Sequence, residues 1–150
     1  MGKTALLRAM CALGSGPGSR LDCVYASAED WCNQYYHAIQ QKTTRQFRSR
    51  HRSCDMLLMD DLQFIEGKPG GQSELLHTVK HVLDRGGRVV LSSTPHPAEL
   101  DVDEALRALL RRAFPAVMLP PEEDERLEVV RHLARRWGLK ATEDVYALVA

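Results

Sequence analysis

The feature that most constrains this chain is a short apolar segment that runs directly into two acidic residues, CDMLLMD at 54–60 followed by Asp61. The segment lacks the alternation of a strand with one solvated face, and it therefore predicts a strand buried on both faces of a sheet. Such strands belong to α/β folds, in which ligands bind beyond the carboxyl ends of the strands. Asp60 and Asp61 are therefore the first candidates for a functional site.

The rest of the chain alternates between strand-like and helix-like segments. Further strands are predicted at 21–26 (LDCVYA) and 88–93 (RVVLSS), and a Gly, Ser and Pro run at 14–19 indicates a loop. Helices are predicted at 3–13, from Ser27 to about 41, at 43–50, 72–84, 103–113 and 122–136, and from about 142 onward. This order favours an α/β sandwich with a mostly parallel sheet. Pro120 and Pro121 predict a boundary between a core at 1–120 and a second part at 121–150.

Composition excludes several classes of protein. The 150 residues fit one domain, or one domain and the start of another. No apolar run is long enough to cross a bilayer, and the N-terminal sequence lacks the apolar core of a signal peptide. The cysteines show neither C-x-x-C pairing nor zinc-ligand spacing, which indicates reduced thiols in a cytoplasmic protein. They are Cys11, Cys23, Cys32 and Cys54.

Charge is balanced overall, with 20 basic and 20 acidic residues, but it is uneven along the chain. A basic block contains no acidic residue and consists of Lys42, Arg45, Arg48, Arg50 and Arg52. Its arginines could neutralise the phosphates of a nucleic acid, or they could form a solvated helix face.

A Gly2-Lys3-Thr4 sequence opens the first predicted helix. In a phosphate-binding loop, backbone N–H groups at a helix N-terminus hold phosphates, a lysine neutralises their charge and a Ser or Thr hydroxyl binds Mg²⁺. The complete pattern also has a glycine five residues before Gly2 and a preceding strand, and this sequence contains neither. Three residues alone also occur by chance.

Polar residues at two other places extend the candidate site. Asp60 and Asp61 could hold Mg²⁺ and orient an attacking water, or they could form an acidic turn or a helix cap. Ser92, Ser93 and Thr94 end the neighbouring strand and could lie near a terminal phosphate, or they could form a turn before a proline.

A set of arginines lies on the helix predicted at 103–113. Their spacing places them roughly along one helical face, where they could reach the phosphate of a neighbouring subunit, or they could be solvated. They are Arg107, Arg111 and Arg112.

The stretch at 52–100, RSCDMLLMDDLQFIEGKPGGQSELLHTVKHVLDRGGRVVLSSTPHPAEL, resembles the ATPase domain of the bacterial replication initiator DnaA family. That family carries an R-S-V-D-x-L-L-I-D-D-I-Q-F core, a glutamine-initiated helix with F-H-T-F and a strand I-V-L-S-S. The similarity extends back through VYASAEDW at 24–31 and forward to the L-P-P-E segment at 119–122.

The resemblance implies an AAA+ P-loop three-layer sandwich followed by the start of a helical lid. It also implies ATP and Mg²⁺ as cofactors, weak ATP hydrolysis, and ATP-controlled assembly into a helical oligomer on origin DNA. Gly2, Lys3 and Thr4 match the end of the Walker A loop. Asp60 matches the Walker B acid associated with Mg²⁺, and Asp61 matches the position that activates water.

Three further positions match the family's pattern less closely. Thr94 falls at the sensor-1 position, where the family usually has Asp, so it can donate a hydrogen bond but adds no charge. Arg107 and Arg111 resemble the two arginines of the finger segment, although Arg-Ala-Phe-Pro replaces the aromatic-glycine run that normally follows.

The resemblance also implies a channel for single-stranded DNA. Tyr36 falls at a contact position and could stack on a base, or it could pack in the core beside Trp31 and Ile39. Lys68 matches a basic channel residue, and Gly70 stands where another basic residue is usual.

The sequence begins inside the phosphate-loop pattern and ends before a lid arginine and a helix-turn-helix domain, which predicts weak nucleotide binding by this chain. Two other functions remain open. One is a catalytically inactive DnaA-like regulatory or interaction fragment. The other is a helicase-loader or transposition-helper AAA+ protein, against which the D-D-L-Q-F and L-H-T strings argue.

Overall fold

A computed structural model describes residues 2–16, 18 and 21–149. The chain forms two compact units, one spanning Gly2–Pro115 and the other extending from Ala116 onward. The division lies ahead of the boundary predicted at Pro120 and Pro121. Part of the loop predicted at 14–19 lies outside the described residues.

The first unit contains a three-stranded parallel sheet. Its strands are β1 (Cys23–Ser27), β2 (Met56–Asp60) and β3 (Arg88–Leu91), in the order β1-β2-β3. Ser27 lies opposite Asp60, and Met59 lies opposite Leu91. The carboxyl ends of all three strands therefore meet at one edge of the sheet, which confirms the predicted α/β class with a parallel sheet.

The central strand supplies the middle of the core. Leu57, Leu58 and Met59 on β2 are all 0 % exposed. The strand predicted at 88–93 forms as β3 but is less buried than β2, because Val89, Val90 and Leu91 are only half-buried. The reason is positional: among the described residues, β3 pairs with β2 alone and forms an edge of the sheet.

The helices lie close to their predicted positions. They are α1 (Lys3–Gly14), α2 (Ala28–Gln40), α3 (Thr44–Arg52), α4 (Pro69–Asp84), α5 (Glu104–Leu110), α6 (Glu123–Arg136) and α7 (Glu143–Val149). Ser27 caps α2 by accepting a hydrogen bond from the Asp30 N–H at 3.1 Å. Asp103 caps α5 in the same way, from the Leu106 N–H at 2.8 Å.

Three differences from the predicted elements have local causes. Helix α4 begins at Pro69 rather than 72, because proline fits the first turn of a helix. Helix α5 is shorter than predicted and ends at Leu110. A 3₁₀ helix at Leu62–Ile65, one turn long, was not predicted, because four residues carry no helical period.

The second unit contains α6 and α7. The Glu122 N–H donates to the Glu125 carboxylate at 2.9 Å, which caps the start of α6. An ion pair joins the two helices, with Arg131 Nε lying 3.0 Å from Glu143 Oε2.

All four cysteines are free thiols in this structure, as predicted. Within residues 2–16, 18 and 21–149, no helix has the length and apolarity needed to span a membrane.

Candidate functional site

Asp60 is a buried acidic residue at the carboxyl end of the central strand. Its exposure is 2 %. Carboxylate Oδ1 accepts a hydrogen bond from the Ser92 hydroxyl, and Oδ2 accepts one from the Tyr25 hydroxyl at 3.0 Å. The guanidinium of Arg8 lies 5.4 Å from the centre of the Tyr25 ring. Side chains from β1 and from the segment after β3 therefore converge on this one carboxylate.

The environment of Asp60 keeps the carboxyl group ionised. Burial by itself raises the pKa of a carboxyl group. Hydrogen bonds from Ser92, Thr4 and Tyr25 outweigh that effect and hold the pKa of Asp60 below its usual value. These hydroxyl groups stabilise the negative charge without neutralising it, so the carboxylate remains able to attract a cation.

Asp61 turns the chain at the end of β2. Its backbone is left-handed, with φ 55° and ψ 56°, a conformation that residues other than glycine rarely adopt and that clusters at functional sites. The Asp61 N–H donates to the Ser92 hydroxyl at 3.1 Å, and the Leu62 N–H donates to the Ser92 carbonyl at 2.8 Å. The carboxylate of Asp61 accepts a hydrogen bond from Gln63 Nε2 at 3.0 Å. Ser92 therefore contacts both acidic residues.

The first turn of α1 lies beside these acids. Helix α1 packs against β1 and β2, and the Thr4 side chain comes within hydrogen-bonding reach of the Asp60 carboxylate. Gly2 precedes the helix with φ 117°, which glycine adopts without a steric penalty. Lys3 is half-buried. The structure thus brings the Gly-Lys-Thr sequence and the acidic strand end together at the carboxyl edge of the sheet.

The residues after β3 divide into two environments. Ser92 is buried and bound to Asp60, whereas Thr94 is exposed. The Thr94 N–H donates to Gln63 Oε1 at 3.2 Å, and the Ser93 hydroxyl donates to the Pro95 carbonyl. The direct contact with the acids therefore comes from Ser92, while the backbone of Thr94 reaches Asp61 through Gln63.

The predicted finger arginines both contact Glu104 on α5. Arg107 Nε lies 3.8 Å from Glu104 Oε2, and Arg111 Nη1 lies 3.1 Å from Glu104 Oε1. Arg107 also donates to the Val102 carbonyl at 2.9 Å and is half-buried. Arg111 is exposed over 63 % of its side chain and is the more accessible of the two.

Tyr36 lies beside the first turn of α4, the helix that Lys68 precedes. The Tyr36 hydroxyl and Cε1 are 3.6 and 3.7 Å from where a Cβ at Gly70 would stand. Tyr36 is 36 % exposed and packs against the ring of Tyr35, with ring centroids 5.6 Å apart. The alternative that placed Tyr36 in the core is therefore wrong.

The basic block is not simply a solvated face. Glu74 on α4 has a buried side chain and binds two arginines of α3. Arg48 Nη2 lies 2.7 Å from one carboxylate oxygen of Glu74, and Arg52 Nη2 lies 2.6 Å from the other. Both proposals for these two side chains, free solvation or phosphate neutralisation, overlooked this partner, because Glu74 lies 22 and 26 residues further along the chain.

Tyr25, Gln63 and Glu74 were not found from the sequence. Tyr25 reaches Asp60 along the sheet from a position two residues before Ser27, the register partner of Asp60. The one sequence signal that could have identified Tyr25 is a tyrosine on the strand next to an acidic strand end. Gln63 follows the acidic pair within D-D-L-Q-F, and Glu74 is a lone acid on the apolar face of α4.

The donor groups at this edge fit a magnesium–nucleotide complex. Mg²⁺ takes hard oxygen ligands and usually binds through one or two protein groups together with phosphates and water. Thr4 and Asp60 present a hydroxyl and a charged carboxylate side by side. Across the described part of the chain, no group of three or more His, Cys, Asp or Glu residues is arranged to hold a metal.

A parallel sheet with the N-terminus of a helix and a buried acid at its carboxyl edge defines the nucleotide-binding core of the AAA+ class of P-loop proteins. Residues 1–115 match the model of the bacterial DnaA ATPase domain, and the chain belongs to that family.

Individual relatives agree with this assignment. The chain is 33 % identical to the chromosomal replication initiator protein DnaA of Pelobacter propionicus over all of its own length and 34 % of that protein. It superposes with a TM-score of 0.92 on domain III of the Thermotoga maritima DnaA, at 28 % identity, covering 99 % of this chain and 62 % of that one. A replication initiator DnaA bound to AMPPCP and single-stranded DNA matches with a TM-score of 0.87 at 25 % identity, over 99 % of this chain and 46 % of that one. The chain thus spans about a third of the length of the curated relatives.

Proposed function

We propose that this chain is the ATP-binding part of a DnaA-type initiator of chromosomal replication, acting in the cytoplasm with ATP and Mg²⁺ as cofactors. The observation that carries the proposal is the packing of α1, which opens with Gly2-Lys3-Thr4, against β2, the strand that ends in the buried Asp60. A solved relative bound to AMPPCP supports nucleotide binding.

In this proposal the start of α1 holds the phosphates. The N–H groups of its first turn lack partners within the helix and can donate to phosphate oxygens, and the left-handed Gly2 allows the backbone to approach closely. Lys3 neutralises phosphate charge. Thr4 and Asp60 would hold Mg²⁺, which would offset negative charge on the terminal phosphates.

Hydrolysis is assigned to the acids and polar groups beyond β2. Asp61 accepts a proton from, or orients, the attacking water, since its carboxylate is half-exposed beside the buried Asp60. Thr94 is linked to Asp61 through the Gln63 side chain, and its hydroxyl can donate a hydrogen bond to the terminal phosphate. Arg107 and Arg111 supply charge to the nucleotide of an adjacent subunit, with Arg111 the more exposed.

Contact with DNA is assigned to two groups near α4. Tyr36 offers an exposed ring on which a base can stack, and the half-buried Lys68 offers a cation for a phosphate. These groups support contact with single-stranded origin DNA by a helical oligomer. A solved relative bound to single-stranded DNA supports DNA as a partner.

The test is a titration of Mg·ATP into the wild type and two lysine variants. Lys3→Ala removes the positive charge assigned to the phosphates and is expected to weaken affinity by about tenfold or more, which is about 1.4 kcal/mol. Lys80→Ala removes an exposed lysine of α4 and is expected to leave affinity within about twofold, by the same arithmetic. Equal affinities for the two variants, or no binding by the wild type at millimolar ATP, would refute the proposal.

A second function, an interaction fragment that binds ATP without turnover, is favoured by one observation. The guanidinium of Arg107 is engaged within its own chain by the Val102 carbonyl and Glu104. Single-turnover assays with radiolabelled ATP separate the two functions, because the fragment would retain bound ATP at every concentration of protein and single-stranded DNA.

A further inference from the structure

The Gln63 side chain joins two parts of the candidate site. Its amide nitrogen donates to Asp61 Oδ1 at 3.0 Å, and its amide oxygen accepts from the Thr94 N–H at 3.2 Å. One carboxamide therefore uses its donor on an acid at the end of β2 and its acceptor on the backbone beyond β3. The assignment of donor and acceptor is unambiguous, because a carboxylate accepts and an N–H donates.

Asp61 needs such a partner because its backbone does not orient its side chain. The left-handed backbone of Asp61 is held by the contact of its N–H with Ser92. That contact leaves the carboxylate free to rotate about the Cα–Cβ bond between staggered rotamers. The hydrogen bond from Gln63 Nε2 to Asp61 Oδ1, 3.0 Å long, holds the carboxylate in the observed orientation.

The other end of Gln63 does not depend on which side chain follows β3. It accepts from the main chain of Thr94, so the link is independent of the threonine side chain. The Leu62 N–H also donates to the Ser92 carbonyl at 2.8 Å. Gln63 is thereby anchored to the segment after β3 while it orients Asp61.

We propose that Gln63 is a positioning residue for ATP hydrolysis. Its side chain holds the Asp61 carboxylate toward the attacking water and fixes the distance between that carboxylate and the backbone of Thr94. This inference rests on the proposed function. The competing explanation is that Gln63 only fastens the 3₁₀ helix to the segment after β3. Glu66 does that as well, since its carboxylate accepts from the Asp101 N–H at 2.8 Å.

Two variants of Gln63 separate orientation from fastening. Gln63→Met removes both hydrogen bonds and keeps the length of the side chain. Gln63→Glu keeps an acceptor for the Thr94 N–H but cannot donate to Asp61 at neutral pH. Glu66→Met is the matched control, because it removes a bond between the same two segments without touching Asp61.

The measurements are the affinity for Mg·ATP and the single-turnover rate of hydrolysis. Both Gln63 variants are expected to lower the rate by about tenfold or more, because a misplaced catalytic group loses that much or more. Their affinities and that of Glu66→Met are expected to stay within about threefold of wild type, and the rate of Glu66→Met within about twofold. In an Asp61→Asn background, Gln63→Met is expected to have no further effect on the rate.

Each outcome decides a different point, once circular dichroism shows that a variant is folded. A wild-type rate in Gln63→Glu, a loss in Glu66→Met equal to that in Gln63→Met, or an additive loss in the Asp61→Asn background overturns the positioning role alone. A wild type that binds no ATP overturns the proposed function, and the positioning role with it. A Gln63→Met protein that fails to fold leaves the decision to Gln63→Glu, which keeps the anchor to Thr94.

Discussion

Replacing Ser92 with alanine removes a side chain that contacts both acidic residues at the end of β2. The hydroxyl donates to the buried Asp60 carboxylate and accepts from the Asp61 N–H at 3.1 Å. A hydrogen bond to a charged group contributes about 1.5–3 kcal/mol, and a half-buried N–H that loses its acceptor adds about 0.5–1 kcal/mol. We expect Ser92→Ala to lower the free energy of unfolding by about 2–4 kcal/mol.

Ser93→Ala is the matched control. It makes the same chemical change one residue away, but the Ser93 hydroxyl donates to the Pro95 carbonyl and does not touch either acid. A neutral hydrogen bond of that kind contributes about 0.5–1.5 kcal/mol. Urea denaturation of the two variants gives both values with a common slope. A difference below about 0.5 kcal/mol between them would refute the contact between Ser92 and Asp60 as a source of stability.

The effect of Ser92→Ala also depends on pH. The pKa of Asp60 in the folded protein lies below the unfolded value of about 3.9, so the ionised group contributes stability above about pH 4. That contribution is lost as the pH falls through the folded pKa. In Ser92→Ala the pKa of Asp60 is lowered less than in the wild type, because one of the hydrogen bonds to the carboxylate is gone. The difference in the free energy of unfolding between the variant and the wild type is therefore expected to narrow in acid. A constant difference between pH 7 and pH 3 would contradict this explanation.

Three further predictions concern the rest of the first unit. Glu74→Gln removes the negative charge that binds Arg48 and Arg52, and it is expected to lower the free energy of unfolding in urea by about 1–3 kcal/mol. This loss is smaller than that expected on breaking a fully buried ion pair, because both arginines retain solvent contact. A change below about 0.5 kcal/mol would contradict a stabilising role for these ion pairs. Burial lowers the pKa of the His51 imidazole, and the contact with the Phe47 carbonyl offsets only part of this effect. As the pH falls, the unfolded chain therefore binds a proton at His51 before the folded protein does, and the free energy of unfolding is expected to fall below about pH 6.5. An NMR titration midpoint of His51 at or above that value would contradict its burial. Gly87→Ala places a Cβ 2.7 Å from Val82 Cγ1 and 2.9 Å from the Val82 carbonyl oxygen, and it is expected to lower the free energy of thermal unfolding by about 2 kcal/mol or more. The control Gly67→Ala meets no neighbouring atom but strains a positive φ, and it is expected to cost about 1 kcal/mol. Equal losses would contradict the close packing at Gly87.

The elements with a strong local signal could be predicted from the sequence. The apolar run before Asp60 predicts a buried strand because no polar residue interrupts it, and Ser27 predicts the start of α2 because its hydroxyl caps the N-terminus. The closeness of Thr4 and Asp60 also follows from the order of elements, since parallel strands bring their carboxyl ends to one edge.

The contacts that complete the site depend on register and distance along the chain. Tyr25 reaches Asp60 because β1 and β2 pair in one particular register, which no local pattern specifies. Gln63 acts from a 3₁₀ helix too short to show a period, and Glu74 finds its arginines on a different helix. The half-burial of β3 depends on which strands flank it in the folded sheet rather than on its own residues.

The site at the carboxyl edge of the sheet is tested most directly by the dependence of ATP affinity on Mg²⁺. Calorimetric titrations with ATP in excess Mg²⁺ and in EDTA are compared for the wild type and Asp60→Asn. Because Thr4 and the charged Asp60 carboxylate are assigned to the ion, wild-type affinity is expected to rise by about tenfold with Mg²⁺, a gain of about 1.4 kcal/mol. Asp60→Asn is expected to lose most of that gain while still binding free ATP. An identical Mg²⁺ dependence in the two proteins would contradict the assignment of Asp60 to the metal.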